Sequence, residues 1–281
     1  MADTLRYSAD LTSLFTELPI LDRLRAARKA GFTGVEIRFP YDLWVRDLMR
    51  KISSTRMDLV LMNCPAPDWS GAPRGFAAIP GQERRFQRDF ERALRLAESL
   101  RSKHLNIMPG DCADPEARET LVDNLKWAAK RAPHESLVIE PLDPLRHPAA
   151  FLTSVEQAAG VIAEVRAPNL GLLLDLSQIC RVHGDPSQIV RRHAHLIRHI
   201  HISSVSEGTE PDPSDPNLRA LMAALTETGY TGWIGASYEP RRMTETGISW
   251  LSQITPRPSK PPASHVGVLR RVRRVLVRSP R

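Results

Sequence analysis

The chain has 281 residues, 42% of them hydrophobic, which is enough to bury the core of a sizeable single domain. Its formal net charge of +7 would suggest a nucleic-acid partner if the charge were spread along the chain. Residues 255–281 contain eight basic residues and no acidic ones, so the first 254 residues carry a net charge of −1. We therefore expect no nucleic-acid partner for the main domain, and only the tail could attract a polyanion.

The cysteines and the N-terminal residues indicate the cellular compartment. Cys64, Cys112 and Cys180 form no C-x-x-C pair, which argues against a disulfide framework and against a zinc knuckle. Residues 1–6 lack the apolar core of a secretory signal, and no apolar run approaches the ~18 residues needed to span a bilayer. These features predict a cytoplasmic protein without a membrane span.

Segments typical of strands and helices alternate along the main domain. In the first predicted helix, Pro19 suits the first turn, apolar residues recur at helical spacing, and Gly31 marks the end. Strands are predicted at residues 6–10, 34–39, 57–62, 104–108, 137–140, 170–175, 197–203 and 233–238. Helices are predicted at residues 19–31, 41–54, 82–100, 115–132, 154–164, 186–195, 217–229 and 243–251. Residues 63–81, with four prolines and three glycines, are predicted to form a long loop.

The predicted fifth strand ends in an ionisable side chain. Residues 137–139 are Leu, Val and Ile, as in a buried strand, whereas Glu140 follows directly and Pro141 prevents the strand from continuing. A carboxylate in apolar surroundings is strongly destabilising unless it is paired, hydrogen-bonded or bound to a metal. Three later predicted strands also end in residues of metal-binding types: Asp175, then His199 and His201, then Glu239. We therefore predict that these strand ends meet at one functional site.

Eight strand–helix units predict a closed (β/α)8 TIM barrel, in which all strand ends point to the same mouth. This barrel domain is assigned to residues 1–254. The sequence has no G-x-G-x-x-G motif and no P-loop, so a nucleotide site is not predicted. Residues 255–281 are predicted to be a disordered, basic, proline- and arginine-rich tail. The alternative for the tail is a short basic amphipathic helix, because its valines and leucines recur at helical spacing.

Six longer motifs carry more specific information than the strand pattern. They are RYSADLTSLF (6–15), GFTGVEIRFPYD (31–42), NCPAPDWSGAPRGFAAIPGQ (63–82), LVDNLKWAA (121–129), IEPLD (139–143) and GYTGWIGASYEPR (229–241). Together they resemble the hydroxypyruvate isomerase family, which belongs to the xylose isomerase-like TIM barrels. The resemblance covers about residues 5–254. It implies an isomerase that interconverts hydroxypyruvate and tartronate semialdehyde (2-hydroxy-3-oxopropanoate), or that acts on a related 2-oxo-tetronate.

The resemblance also implies a site with two catalytic glutamates and a divalent metal, Mg or Mn, held by Glu, Asp, Gln and Glu. Glu140 matches the first glutamate and Asp175 matches the aspartate. His201 falls where the family has its metal-binding glutamine, and an imidazole can also bind a divalent ion. Glu140, Asp175 and His201 are therefore the implied metal ligands, and Glu140 is also the implied base for proton transfer.

The chain departs from the family pattern at the second catalytic glutamate. Ser237 stands at that position, and the nearest carboxylate, Glu239, lies two residues further along the same strand face. We predict Glu239 as the second catalytic residue, acting behind the direct metal ligands or on the far end of the substrate, while Ser237 and water complete the coordination of the metal. Ser177 and Gln178 replace an aromatic–histidine pair of the family, and the family's substrate-binding arginine is missing from residues 205–211.

These departures leave two functions open. The one we favour is a metal-dependent isomerase or epimerase of a small 2-oxo or 2-hydroxy acid or sugar. The other is a barrel that has lost catalysis and acts as a binding or regulatory protein. Two residues also have structural alternatives, since Asp175 could cap the following helix and His199 is expected to pack behind His201. The expected partner is a small-molecule substrate, and homo-oligomers remain open.

Overall fold

The computed structural model describes residues 5–64 and 75–254 of the chain. Eight strands in that part form one closed barrel in chain order, and every neighbouring pair is parallel, including β8 with β1. The strands are β1 (Arg6–Asp10), β2 (Gly34–Glu36), β3 (Asp58–Asn63), β4 (His104–Asn106), β5 (Leu137–Ile139), β6 (Leu170–Asp175), β7 (Ile197–Ile202) and β8 (Trp233–Ala236). This confirms the predicted (β/α)8 fold class.

Helices follow the strands around the outside of the barrel. They are α1 (Ile20–Ala30), α2 (Val45–Thr55), α3 (Glu83–Leu100), α4 (Ala117–Arg131), α5 (Val155–Val165), α6 (Leu176–His183), α7 (Pro186–His193), α8 (Pro216–Glu227), α9 (Thr244–Gly247) and α10 (Trp250–Ile254), with a 3-10 turn at Pro40–Asp42. The main hydrophobic core lies between these helices and the strands; in α3, for example, Phe86, Phe90 and Ala97 are buried at helical spacing.

The sequence prediction of the helices was wrong in two places. It missed α6, which begins at Leu176 without any loop after β6 because Asp175 is both the last residue of the strand and the N-cap of the helix. It also predicted one helix at residues 243–251, where the structure has the two short helices α9 and α10. The other predicted helices are present, with ends that differ by a few residues.

The inside of the barrel is filled by residues at every second position of each strand. Leu61 on β3, Val138 on β5 and Leu173 on β6 form a small, fully buried apolar cluster there. Glu36 on β2 and the two histidines of β7 are also buried inside, although they are polar. The barrel interior is therefore partly apolar and partly an organised polar region.

Two other expectations concern the chain as a whole. Within residues 5–64 and 75–254, no helix has both the length and the apolar character required to cross a membrane. The predicted tail at residues 255–281 lies outside the described residues, so the division into a barrel and a tail stays a prediction.

Candidate active site

A cavity of about 820 Å³ lies at the carboxyl ends of the strands, which is a usual size and position for a small-molecule site in this fold. Each of the eight strand ends places one polar side chain at this mouth: Asp10, Arg38, Asn63, Asn106, Glu140, Asp175, His201 and Ser237. Seven of them line the cavity, and Asp10 lies behind Arg38 and Ser237. The four predicted site residues, Glu140, Asp175, His201 and Glu239, all line this one cavity.

Glu140 follows β5 directly and is partly buried at the bottom of the mouth. The side-chain amide of Gln178 donates a hydrogen bond of 3.0 Å to its Oε1. Burial raises the pKa of the Glu140 carboxyl, and the nearby charge of Asp175 adds to the rise, while His201 and Arg38 oppose it. A carboxylate with a raised pKa is a better proton acceptor than an ordinary one, which suits a general base.

Asp175 is the last residue of β6, and its carboxylate is directed to the first turn of α6. Its Oδ1 accepts hydrogen bonds from the backbone N–H of Gln178 at 2.9 Å and from the hydroxyl of Ser177 at 2.6 Å. The structural alternative for Asp175, a helix cap, is therefore confirmed. Its role as a metal ligand stays a prediction.

Four buried side chains below the mouth form what we call the inner polar cluster: Ser8, Glu36, His199 and His201. The Glu36 carboxylate is its centre. Oε1 accepts hydrogen bonds from Ser8 Oγ at 2.7 Å and from His199 Nε2 at 2.8 Å, and Oε2 accepts one from His201 Nε2 at 2.7 Å. Both oxygens of a carboxylate that has no exposed surface are thus hydrogen-bonded.

The charges of the inner polar cluster balance within the cluster. Burial alone would raise the pKa of Glu36, but the two imidazoles outweigh it and hold that pKa well below its usual value. Burial lowers the pKa of His199, whereas Glu36 overcomes burial at His201 and raises its pKa to about 9. The cluster therefore contains one carboxylate, one cationic imidazole and one neutral imidazole. It also requires Gly235, because a Cβ there would lie 2.2 Å from Glu36 Oε1.

Three residues at the ends of β1, β2 and β8 form what we call the outer cluster: Asp10, Arg38 and Ser237. Arg38 Nη2 lies 2.7 Å from Asp10 Oδ2 and donates a hydrogen bond of 2.6 Å to Ser237 Oγ. Ser237 Oγ donates in turn to Asp10 Oδ2 at 3.2 Å. Asp10 is fully buried, whereas the Arg38 side chain is 37% exposed, towards the cavity that it lines. The Asp10 carboxylate raises the pKa of Arg38 further above its already high value.

Glu36 and Arg38 were not singled out from the sequence, although a signal for them existed. In the run Val35-Glu36-Ile37-Arg38, charged residues alternate with apolar ones on a predicted strand. Period-two alternation places both charges on one face of the strand, and in the structure that face lies on the inside of the barrel. The same reasoning that selected Glu140 would have selected Glu36 and Arg38.

Two groups of residues bear on the divalent metal that the family resemblance implies. Glu36, His199 and His201 could hold an ion, because one ligand atom from each lies within 4.8 Å of the others. The predicted ligands Glu140, Asp175 and His201 share the cavity, but His201 directs Nε2 to Glu36. A hydroxyl replaces the fourth ligand at position 237, and that hydroxyl is hydrogen-bonded to a guanidinium. The donor set at the mouth is one carboxylate short and does not fit the implied four-ligand centre.

The chain belongs to the xylose isomerase-like TIM barrel family, whose model matches residues 24–254. It is 34% identical over 253 residues to hydroxypyruvate isomerase of Escherichia coli, an alignment covering 88% of this chain and 98% of that protein. It is 33% identical over 252 residues to 2-oxo-tetronate isomerase of Cupriavidus necator, with 88% and 97% coverage. These relatives confirm the predicted resemblance to the hydroxypyruvate isomerase family, and their names support the prediction of an isomerase enzyme.

Solved structures agree with the barrel. A crystal structure described as AP endonuclease, family 2, from Brucella melitensis matches with a TM-score of 0.86 and 35% identity, covering 90% of this chain and all of that one. The 3-keto-D-glucoside 4-epimerase of E. coli matches with a TM-score of 0.71, over 89% of this chain and 99% of the epimerase. At 18% identity, the second likeness concerns the fold alone.

Proposed function

We propose that this protein isomerises a small 2-oxo acid, with hydroxypyruvate as the first candidate substrate and a 2-oxo-tetronate as the second. The names of the relatives support these substrates. The observation that carries the proposal is Glu140, a partly buried carboxylate of raised pKa at the base of a cavity of about 820 Å³. Such a carboxylate suits the removal of a proton from carbon.

The reaction is a proton transfer between adjacent carbons. Glu140 removes a proton from the hydroxymethyl carbon of hydroxypyruvate, the electron pair of that bond forms a carbon–carbon double bond, and the carbonyl electrons move onto oxygen. Glu140 then returns the proton to the neighbouring carbon, while the hydroxyl proton passes to the other oxygen. The product is tartronate semialdehyde. Substrate and product are isomers, so no oxidant or reductant takes part.

The neighbours of Glu140 support this role. Gln178 holds its Oε1 and fixes the direction of the carboxylate. Glu239, the predicted second catalytic residue, is exposed at the rim, three residues beyond the end of β8, and its catalytic role stays a prediction. That position favours a mechanism in which Glu140 carries the proton in both directions. The implied Mg or Mn ion also stays a prediction. No step of the proposed mechanism depends on it, because the set of metal ligands at the mouth is incomplete.

The test follows hydroxypyruvate by proton NMR in D2O, because a proton carried by Glu140 exchanges with solvent and leaves deuterium on carbon. We expect Glu140→Gln to lower turnover by roughly 10²-fold or more, with unchanged unfolding by urea, since the amide keeps the shape and removes the base. Glu245→Gln, at an exposed carboxylate of α9, is the matched control and should behave as wild type. Full activity of Glu140→Gln would exclude Glu140 as the base.

A further inference from the structure

The mouth of the barrel contains a permanent cation, the guanidinium of Arg38. The Arg38 guanidinium projects from the end of β2 and is anchored through Nη2 on Asp10 and Ser237. Asp10, Glu140 and Glu36 all raise the pKa of Arg38, with Asp10 contributing most, so its charge lies among the carboxylates of the barrel interior. Because the side chain is 37% exposed and lines the cavity, that charge also faces the ligand space.

The residues around Arg38 are matched to a guanidinium and not to a metal ion. Position 237, where the family resemblance implies a metal-binding glutamate, holds a serine whose hydroxyl lies 2.6 Å from Arg38 Nη2. A carboxylate at this position would place a second negative charge beside Arg38, in addition to Asp10, whereas a hydroxyl accepts the hydrogen bond without adding one. A divalent ion beside the guanidinium would be opposed by like-charge repulsion.

We propose that the Arg38 guanidinium takes the place of the divalent metal in this site and binds the carboxylate and the adjacent oxygen of a small 2-oxo or 2-hydroxy acid. This inference rests on the proposed function for the identity of the ligand class. A guanidinium presents parallel N–H donors that match a carboxylate or a pair of neighbouring oxygens. Its charge also stabilises the negative oxygen that develops when Glu140 removes the proton from carbon.

The first experiment uses the full-length protein after treatment with a chelator, with its metal content measured by mass spectrometry. The probe is tartronate (hydroxymalonate), a stable three-carbon 2-hydroxy diacid, and its binding is measured by calorimetry. We expect tartronate to bind the metal-free protein and Arg38→Gln to weaken binding by about tenfold or more, as loss of a charge-assisted pair predicts. Arg50→Gln, at an exposed arginine of α2 paired with Asp47, is the matched control and should bind as wild type.

A second variant guards against misfolding, because Arg38→Gln leaves the buried Asp10 without its cationic partner. The double variant Arg38→Gln/Asp10→Asn removes both charges together and should show the same weakened binding with a stable fold. Tartronate affinity that is unchanged in this folded double variant would overturn the inference. A stoichiometric divalent metal in the wild-type protein, lost in Asp175→Ala, would overturn it as well.

The third experiment converts the site. In Arg38→Met/Ser237→Glu, the cation is removed, and a third carboxylate joins Glu140, Asp175 and the imidazole of His201 as the fourth ligand. We therefore expect this variant to bind Mn²⁺ more tightly than wild type in calorimetry. In Ser237→Glu alone the new carboxylate pairs with Arg38, and we expect no gain in Mn²⁺ binding over wild type. Equal Mn²⁺ binding by wild type and the double variant would overturn the inference. If wild type binds tartronate through Arg38 but leaves hydroxypyruvate unchanged, the arginine site is supported and only the proposed reaction fails.

Discussion

The inner polar cluster and the outer cluster are two layers of the same barrel interior. On strands β1, β2 and β8, a residue in or against the inner polar cluster is followed two positions later by a residue of the outer cluster: Ser8 and Asp10, Glu36 and Arg38, Gly235 and Ser237. Both layers hold a buried carboxylate against a cation. In the lower layer both carboxylate oxygens of Glu36 accept hydrogen bonds from buried neighbours, whereas in the upper layer the cation is 37% exposed and lines a cavity.

The difference shows how a buried carboxylate paired with a cation can serve two purposes. A buried carboxylate whose hydrogen-bond partners are supplied by the chain contributes to a unique packing and presents no surface to a ligand in the cavity. A cation that is anchored on one side and open on the other keeps a binding capacity for an anion. His201 joins the layers, because it belongs to the inner polar cluster and also lines the cavity. The following predictions test this division.

The largest effect is expected from breaking the lower layer. Glu36→Gln removes the carboxylate that compensates the buried, cationic His201, and loss of one partner from a buried ion pair destabilises a protein by about 3–5 kcal/mol. Urea unfolding of the purified variant measures this loss. Glu245→Gln is the exposed control, with an expected change within about 0.5 kcal/mol. Equal stability of the two variants would show that the inner polar cluster is not structural.

A moderate effect on turnover is expected from loosening the predicted base at the mouth, beside the outer cluster, without removing a charge. Gln178→Met deletes the amide that holds Glu140 Oε1 at 3.0 Å and keeps the length of the side chain. We expect kcat to fall about tenfold while KM stays nearly constant, because the base loses its orientation and the ligand keeps its contacts. A rise in KM with unchanged kcat would instead assign Gln178 to substrate binding.

A smaller effect, which depends on pH, is expected from an ion pair outside both layers. Burial would raise the pKa of Asp143, but the hydrogen bond from Arg181 at 2.6 Å and the backbone N–H of Leu145 outweigh it, so that this pKa is lowered on folding. The stabilisation is therefore fully present above the unfolded carboxyl pKa of about 4 and is lost as the pH falls through the lower folded value.

The variant Asp143→Asn tests this expectation. It should be less stable than wild type at neutral pH, and its stability should fall less steeply below pH ~4, because the titrating group is gone. Thermal unfolding measured at a series of pH values gives both quantities. Parallel curves for the variant and wild type at acidic pH would show that Asp143 does not carry the acid sensitivity.

The smallest effect is expected from removing the predicted tail. All eight strands of the barrel and α10 lie within residues 6–254, so deletion of residues 256–281 should leave the melting temperature and any isomerase activity unchanged. Calorimetry of the shortened protein beside the full chain measures the difference. A decrease of several degrees in melting temperature would mean that the tail packs on the barrel.

The fold was predictable because it depends on repetition. Eight apolar runs alternating with amphipathic segments leave few arrangements other than a parallel barrel, and each error at a helix end is small against that pattern. Glu140 was predictable for a related reason, since one charge at the end of an apolar run contradicts its surroundings. The outer cluster was not predicted, because Asp10, Arg38 and Ser237 come from three separate strands and become neighbours only when β8 pairs with β1.

Helix α6 couples several parts of the site mechanically. It starts immediately behind β6, and within two turns Ser177, Gln178 and Arg181 contact the carboxylates of Asp175, Glu140 and Asp143. A rotation of this short helix would therefore displace three carboxylates together: those of Asp175 and Glu140 at the strand ends and that of Asp143 in the loop after β5. Substitutions on the outer face of α6 are thus a route by which the positions of these carboxylates can change without replacing any residue that lines the cavity.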